Sequence, residues 1–221
     1  MTTVSRKLKT LALGATIAAA TLMQAGKVEA RDMQTITVAG GCFWCVESDF
    51  EKVRGVSEVT SGYTGGTTAN PTYRQVTGGG TGHYEAVEIR FDADQVSERQ
   101  IYDLFFRSVD PTDAGGQFCD RGNSYRTAIF VSNTAQQQAA QAALSAAQSE
   151  LGRQIVTPIL AASAFYDAEE YHQDYYKGES RVVTRGGIKT EAEAYAFYRE
   201  ACGRDARVEQ LWGRDAPFIN H

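Results

Sequence analysis

The chain contains few of the residues that define several classes of protein. Its 221 residues include four cysteines and three histidines, and acidic residues outnumber basic residues by 27 to 22. Four cysteines are too few for a disulfide scaffold, so they are better interpreted as reactive thiols. An acidic chain without a basic run is a poor candidate for binding nucleic acid or anionic lipid. These absences favour a protein that acts through reactive cysteines on partners other than nucleic acid and anionic lipid.

A long apolar run is also absent. Residues 11–23 carry no charge, but this stretch is shorter than the ~20 residues that a spanning helix needs. Basic residues precede it, and Val28-Glu29-Ala30 places small residues where a signal peptidase cuts. The sequence therefore predicts a signal peptide over residues 1–30 and a single domain over residues 31–221. We expect an exported protein, periplasmic or secreted, that is not inserted in the membrane after cleavage.

The most informative segment lies at residues 40–47. A short β-branched run ends in Gly40 and Gly41, and Cys42 follows at the predicted start of a helix. The unpaired N–H groups of a helix N-terminus stabilise a thiolate, so we expect the pKa of Cys42 to lie below the ordinary value of about 8.5. Trp44 lies about 100° from the apolar face of this helix. The segment therefore predicts a nucleophilic thiol beside an open apolar pocket.

Hydrophobic periodicity predicts an α+β fold. Strands are expected at residues 34–39, 56–63, 84–91 and 125–131, and helices are expected from residue 42 and after an N-cap at Ser97. The resulting order, β-α-β-β-α-β, is that of a ferredoxin-like two-layer sandwich with its helices on one face of the sheet. Beyond this core we expect a helix over residues 134–151, a strand over residues 155–162 and a C-terminal helical extension that begins at Thr190.

The spacing of Cys42 and Cys45 leaves several interpretations open. Two thiols at this spacing can form a thioredoxin-like redox pair, or they can bind a soft metal ion such as Cu(I) or Zn²⁺. Phe43 and Trp44 are bulky residues between the two sulfurs, and no cluster of histidine or cysteine lies nearby in the sequence. Because zinc takes four ligands, these features argue against a metal site. We therefore expect no metal.

Glu85 is predicted to lie on the buried face of a strand, because it shares its parity with Val87 and Ile89. Burial raises the pKa of a carboxyl group and would let Glu85 hold a proton near neutral pH. The alternative interpretation is a solvated carboxylate at the frayed start of the strand.

Other candidate residues have ordinary structural explanations as well. Tyr73 and Tyr125 carry hydroxyl donors, but most tyrosines serve in packing. Asp120 lies in a glycine-rich loop, where aspartate commonly forms turns. His172 falls in a short helix that we expect Asp167 to cap, and we interpret it as a structural hydrogen-bonding residue.

Together these segments resemble the A-type peptide methionine sulfoxide reductases, the family that reduces methionine-S-sulfoxide. The similarity extends from about residue 35 to residue 212 in six ordered blocks. These are Gly41-Cys42-Phe43-Trp44, Gly62-Tyr63-Thr64-Gly65-Gly66, Asn70-Pro71-Thr72-Tyr73, Gly82-His83-Tyr84-Glu85-Ala86-Val87, residues 122–126, and Phe165-Tyr166-Asp167-Ala168-Glu169-Glu170-Tyr171-His172-Gln173.

The resemblance implies a role for each candidate residue. Cys42 would attack the sulfoxide sulfur, and Phe43 and Trp44 would enclose the S-methyl group of the substrate. Glu85 would bind the sulfoxide oxygen and supply its proton. The remaining implied roles are further hydrogen bonds to that oxygen from Tyr73 and Tyr125, and ordering of the site by Asp120.

The resemblance also implies that a second thiol converts the Cys42 sulfenic acid to a disulfide. Cys202 ranks first, because it precedes a C-terminal segment that we expect to swing over the site, and a C-terminal resolving cysteine is common in the family. Cys45 ranks second, since the helix places its Cβ roughly 5–6 Å from that of Cys42, whereas a disulfide prefers ~3.8 Å. The sequence leaves the role of Cys119 open.

The resemblance implies further properties of the catalytic domain. Its electrons would come from an external dithiol of the thioredoxin type, without a bound cofactor, and its substrates would be methionine sulfoxide in proteins of the cell envelope or in free form. We expect a monomer. The alternative functions are a thiol–disulfide oxidoreductase that uses Cys42 and Cys45 and a module that binds a soft metal.

Overall fold

The computed structural model describes residues 32–219, which contain both β-strands and α-helices. The strands are β1 (Met33–Gly40), β2 (Val56–Thr64), β3 (Tyr84–Asp92), β4 (Gly116–Gln117), β5 (Asp120–Arg121), β6 (Thr127–Val131), β7 (Ile159–Ala161), β8 (Tyr166–Asp167), β9 (Arg181–Thr184) and β10 (Gly187–Thr190). The helices are α1 (Phe43–Phe50), α2 (Tyr73–Gly78), α3 (Glu98–Phe106), α4 (Thr134–Leu151), α5 (Glu191–Ala201) and α6 (Arg204–Trp212). Single 3₁₀ turns lie at Asn123–Tyr125, Glu170–His172 and Tyr175–Lys177.

The principal sheet has six strands in the order β7-β6-β1-β3-β2-β8. Its four central strands pair antiparallel, and their order matches the predicted ferredoxin-like core. β7 extends one edge in parallel with β6, and β8 extends the other edge antiparallel to β2. The expected α+β fold is confirmed, and the sheet is two strands wider than the core that the sequence predicts.

One face of this sheet carries the main hydrophobic core. On β3, Val87, Ile89 and Phe91 alternate with residues of the other face and are completely buried. The apolar sides of α1 and α3 pack into the same cluster, through residues such as Phe50 and Phe105. This packing fixes the start of α1 against the ends of β1 and β3, where the candidate residues lie.

Most predicted elements have the expected positions. Ser97 and Thr190 are N-caps that accept a backbone hydrogen bond from the third residue of the following helix. The expected strand over residues 155–162 is shorter, because the pairing begins only after Pro158, which has no N–H to donate. Two local expectations are wrong: Tyr125 ends a 3₁₀ turn instead of beginning a strand, and Asp167 lies in β8 instead of capping a helix.

The C-terminal extension contains a second helix, α6, and is anchored to the core. Gly203 adopts a left-handed conformation (φ +68°) that separates α5 from α6. Arg204 is buried, and its guanidinium donates hydrogen bonds to the carbonyl oxygens of Ser108 (2.8 Å) and Gly40 (3.3 Å). Arg199 Nη1 lies 2.8 Å from Asp49 Oδ1 on α1. From the sequence we expect the C-terminal segment to swing over the site. Instead, its helices α5 and α6 are docked on the core.

Within residues 32–219, none of the helices combines the length and the apolar character that crossing a membrane requires. The predicted signal peptide at residues 1–30 lies outside the described residues.

We predict that Asp49→Asn lowers the free energy of unfolding by about 3–5 kcal/mol, because removing one member of a buried ion pair leaves an uncompensated charge. Asp49 contacts Arg199 and also lies 3.7 Å from Arg204. Urea denaturation would measure the loss. The matched control is Arg90→Gln, since Arg90 and Glu58 form an exposed pair, and its effect should stay within about 0.5 kcal/mol. Equal effects of the two substitutions would contradict the anchoring.

Candidate active site

All of the candidate site residues line one cavity of about 300 Å³ at the N-terminal end of α1. They are Cys42, Phe43, Trp44, Cys45, Tyr73, Glu85, Asp120, Tyr125 and Cys202, and Cys119 lines the same cavity. These residues come from five separate parts of the chain, which the fold brings together around one cavity.

Cys42 is the N-cap residue of α1 and is half-buried. Its position depends on Gly41, whose φ of +82° falls in the region that favours glycine. A Cβ at Gly41 would lie 2.5 Å from the Cβ of Gln117. Gln117 cannot withdraw easily, because its buried amide exchanges two hydrogen bonds of 2.8 Å with the backbone of Asp110. The thiol is therefore held at the helix start by a tight contact with a rigid neighbour.

Glu85 is buried on β3 beside this helix start, with 1% of its surface exposed. Its Oε2 accepts a hydrogen bond of 3.2 Å from the Phe43 N–H, whereas its Oε1 has no partner among the described residues. Burial is the largest cause that raises the pKa of Glu85 to about 8, and the nearby charge of Asp120 acts in the same direction. The carboxyl group is therefore protonated at neutral pH, and the alternative of a solvated Glu85 is wrong.

Tyr73 and Tyr125 lie close enough to Glu85 for its charge to raise the pKa of both hydroxyl groups, although burial is the larger cause. Both tyrosines therefore remain protonated and can donate hydrogen bonds. Tyr73 is positioned by Glu169, a residue to which the sequence analysis assigned no role. Glu169 Oε1 accepts from the Tyr73 N–H at 2.9 Å, and its Oε2 accepts from the Tyr63 hydroxyl at 2.8 Å.

The thiols of Cys42 and Cys45 affect each other's pKa. A hydrogen bond between the two side chains is the largest cause that lowers the pKa of Cys45 to about 7, and Arg204 and Arg199 add to the effect. The same hydrogen bond, burial and the nearby carboxylates raise the pKa of Cys42. The expected lowering of the Cys42 pKa is thus wrong, because the effect of the helix terminus is outweighed by the hydrogen bond to Cys45, by burial and by the charges of Glu85 and Asp120. The pair retains one proton after its first ionisation.

Aromatic rings form the wall of the cavity. Trp44 stacks on Tyr175, with ring centroids 3.8 Å apart and planes 5° apart. Phe43 stacks with Tyr73 at 6.2 Å, and the ring of His172 lies 4.4 Å from that of Tyr73. Neither nitrogen of His172 has a hydrogen-bond partner in residues 32–219, and burial lowers its pKa to about 4. The interpretation of His172 as a hydrogen-bonding residue is therefore wrong, and the neutral ring acts in packing.

Cys119 and Cys202 form a disulfide with a Cα–Cα distance of 4.9 Å, whereas Cys42 and Cys45 are free thiols. Cys119 is exposed, so this bond lies at the rim of the cavity. Its Sγ lies 3.8 Å from Asp120 Oδ1. Burial raises the pKa of Asp120, although the charge of Arg204 opposes that shift. The cavity therefore contains two free thiols, a protonated carboxyl group and an accessible disulfide.

Comparison with known proteins gives a consistent result. A family model described as peptide methionine sulfoxide reductase matches residues 34–204. Peptide methionine sulfoxide reductase MsrA 2 of Rhizobium meliloti is 49% identical over 184 residues, which cover 83% of this chain and 86% of that protein. MsrA of Bacillus licheniformis is 44% identical over 191 residues, covering 84% of this chain and 97% of its own length.

Solved structures give the same similarity. Methionine sulfoxide reductase A of Corynebacterium diphtheriae has a TM-score of 0.63 and 31% identity, and the alignment covers 71% of this chain and 84% of that one. Reduced Mxr1 of Saccharomyces cerevisiae has a TM-score of 0.62 and 32% identity, with 65% of this chain and 83% of that chain covered.

Proposed function

Since this chain belongs to the peptide methionine sulfoxide reductase family, we propose that its cavity reduces the S epimer of methionine sulfoxide through Cys42. The chain is an enzyme that reduces methionine sulfoxide. The observation that supports this reaction most directly is that two free thiols, Cys42 and Cys45, and the protonated, buried carboxyl group of Glu85 line the same cavity. Each further step follows from the groups that face that cavity.

The first step needs a nucleophile and an acid. The sulfur of a sulfoxide becomes open to attack when its oxygen takes up a proton, and Glu85 holds a proton at neutral pH. The unpartnered Oε1 of Glu85 is available to bind that oxygen. Cys45 ionises first because its pKa is the lower of the two, and its thiolate then takes the proton of Cys42 through their shared hydrogen bond, which makes Cys42 the attacking thiolate. The Cys42 thiolate attacks that sulfur, and the bond between the sulfur and its oxygen breaks as the oxygen passes to Cys42 Sγ with the proton from Glu85. Methionine leaves, so that Cys42 becomes a sulfenic acid.

The surrounding residues orient the substrate. Tyr73 and Tyr125 donate hydrogen bonds to the sulfoxide oxygen, and Asp120 orders the polar side of the cavity. Phe43 and Trp44 contact the S-methyl group on the aromatic side. Because polar and apolar groups lie on opposite sides of a chiral sulfur, only one epimer places its oxygen and its methyl group correctly. Selectivity for one epimer follows, and the similarity to the A-type reductases makes the S epimer the expected one.

The second step forms a disulfide at Cys42. The sulfenic acid reacts with the thiol of Cys45, which already contacts Cys42, and releases water. The thiols of Cys202 and Cys119 then reduce the Cys42–Cys45 disulfide by thiol–disulfide exchange. This exchange returns Cys42 and Cys45 to thiols and joins Cys119 to Cys202. That final state is the one in the structure. Direct attack by Cys202, which the sequence analysis ranks first, would end in the same state.

An external dithiol of the thioredoxin type completes the cycle without a bound cofactor. The exposed sulfur of Cys119 is accessible to such a protein, whereas Cys45 is buried. We infer from the sequence that residues 1–30 direct export and that residues 31–221 act as one catalytic domain. The substrates would then be oxidised proteins of the cell envelope, reduced by a monomeric enzyme.

The pH dependence of turnover, measured with the separated S epimer, tests the role of Glu85 as the acid. We predict that kcat/KM for the S epimer rises with pH through about 7, as the thiol pair loses a proton, and falls above about 8, as Glu85 loses its proton. Glu85→Gln should lower the rate by about 10²–10⁴-fold and remove the alkaline fall. Glu47→Gln is the matched control, because Glu47 is also a buried glutamate whose pKa is raised to about 7. Disulfide exchange without sulfoxide turnover would contradict the proposal.

Rapid-quench mapping of disulfides tests the order of the thiols. With one equivalent of substrate, the fully reduced enzyme should form a Cys42–Cys45 bond first and a Cys119–Cys202 bond later. The sulfenic acid should accumulate in Cys45→Ser, whereas the Cys42–Cys45 bond should persist in Cys202→Ser. Cys119→Ser serves as the control and should form the first bond at the normal rate. A Cys42–Cys202 bond that forms in Cys45→Ser at the normal rate would make Cys202 the first resolving thiol.

A further inference from the structure

The turn of the β9–β10 hairpin reaches the rim of the cavity. Arg185 lies in this turn, between Thr184 and Gly187, and lines the cavity. The Thr184 hydroxyl closes the turn, since it donates to the Gly187 carbonyl oxygen at 2.7 Å and accepts from the Gly186 N–H at 3.1 Å. The position of Arg185 therefore follows from an ordered turn.

The inner face of this hairpin packs against α5. Val182 packs with the apolar cluster that contains Tyr195 and Cys45. Lys189, the cross-strand partner of Val182, holds its Nζ 5.5 Å from the centre of the Phe197 ring. A two-stranded hairpin is only marginally stable alone, so these contacts determine which face is presented outward.

The outer face carries an apolar pair. Val183 and Ile188 are directly opposite each other across the two strands. Val183 is 86% exposed and Ile188 is 68% exposed, which makes them the two most exposed large apolar side chains in residues 32–219. Directly opposed side chains form one continuous surface. This surface lies on the same hairpin as Arg185, whose side chain lines the substrate cavity.

Arg185 differs from the other two arginines of the cavity. Arg199 and Arg204 are buried and interact with Asp49. Arg185 is exposed, and within the described part of the chain it has neither an ion pair nor a hydrogen bond. Arg204 is the cation that opposes the burial-driven rise in the pKa of Asp120. The charge of Arg185 is available to an anion at the rim.

We propose that the tip of this hairpin is a subsite for the residues that flank an oxidised methionine in a polypeptide substrate. Arg185 binds a carboxylate side chain near the methionine sulfoxide, and the Val183–Ile188 pair binds an aliphatic side chain. Free methionine sulfoxide supplies a carboxylate but has no second apolar side chain, so the two features together fit a peptide. This inference rests on the proposed function, because it assigns the substrate of the same cavity.

The test measures KM and kcat for matched peptides of the S epimer with a fixed concentration of thioredoxin. One peptide carries aspartate and leucine beside the oxidised methionine, a second carries lysine and leucine, and a third carries aspartate and serine. N-acetyl-methionine sulfoxide amide has no flanking residues and reports the basal reaction. The variants are Arg185→Gln and the double substitution Val183→Thr with Ile188→Thr. Arg181→Gln is the matched control, since Arg181 is exposed on the same hairpin but does not line the cavity.

Arg185→Gln should raise KM for the aspartate peptides about threefold to fivefold, with kcat unchanged, as expected for an exposed ion pair. The threonine pair should raise KM for the leucine peptides about fivefold to tenfold. The amide should react equally with all variants, and Arg181→Gln should match the wild-type enzyme throughout.

Three results would overturn the proposal. KM values could stay constant across peptides and variants, which would leave the basal reaction intact and exclude the subsite alone. The variants could raise KM for thioredoxin instead, which would make the hairpin a reductant surface. Sedimentation could show a dimer that the threonine pair dissociates, which would make the occupant a second copy of this chain. Failure of the wild-type enzyme on the amide would instead contradict the proposed function.

Discussion

Burial of the Glu85 carboxyl group at the N-terminus of α1 is the constraint on which the site depends. A carboxylate there would lie in a low-dielectric environment, so the group retains its proton to about pH 8. The Phe43 N–H holds one oxygen, which leaves the other directed at the cavity. The acid and the adjacent Cys42 are therefore placed by the same helix start. The tight contact of Gly41 with Gln117 fixes that start to β4.

The C-terminal helices complete the electrostatics of this arrangement. Arg199 and Arg204 dock α5 and α6 on Asp49, and the same two cations lower the pKa of Cys45. The docking also places Cys202, at the end of α5, where it can bond to Cys119. One set of buried charges thus serves stability and thiol chemistry together. Removing a charge from this set is expected to change both properties.

The sequence predicted those features that depend on local pattern. Strand parity placed Glu85 on the buried face, and the strand, glycine pair and cysteine placed Cys42 at a helix start. Features that depend on burial and on contacts between side chains were missed. The pKa of Cys42 is raised by a hydrogen bond to Cys45, by burial and by distant carboxylates, and Cys119 pairs with a residue 83 positions away. Neither relation leaves a periodic signal in the chain.

The transfer of oxygen to Cys42 is the central claim, and mass spectrometry of the digested protein tests it most directly. In the variant with serine at positions 45, 119 and 202, Cys42 is the remaining cysteine. One equivalent of S-sulfoxide labelled with oxygen-18 should yield methionine and add the mass of one oxygen-18 atom to the peptide that contains Cys42. Methionine formed without label on that peptide, or with label on another residue, would contradict the account.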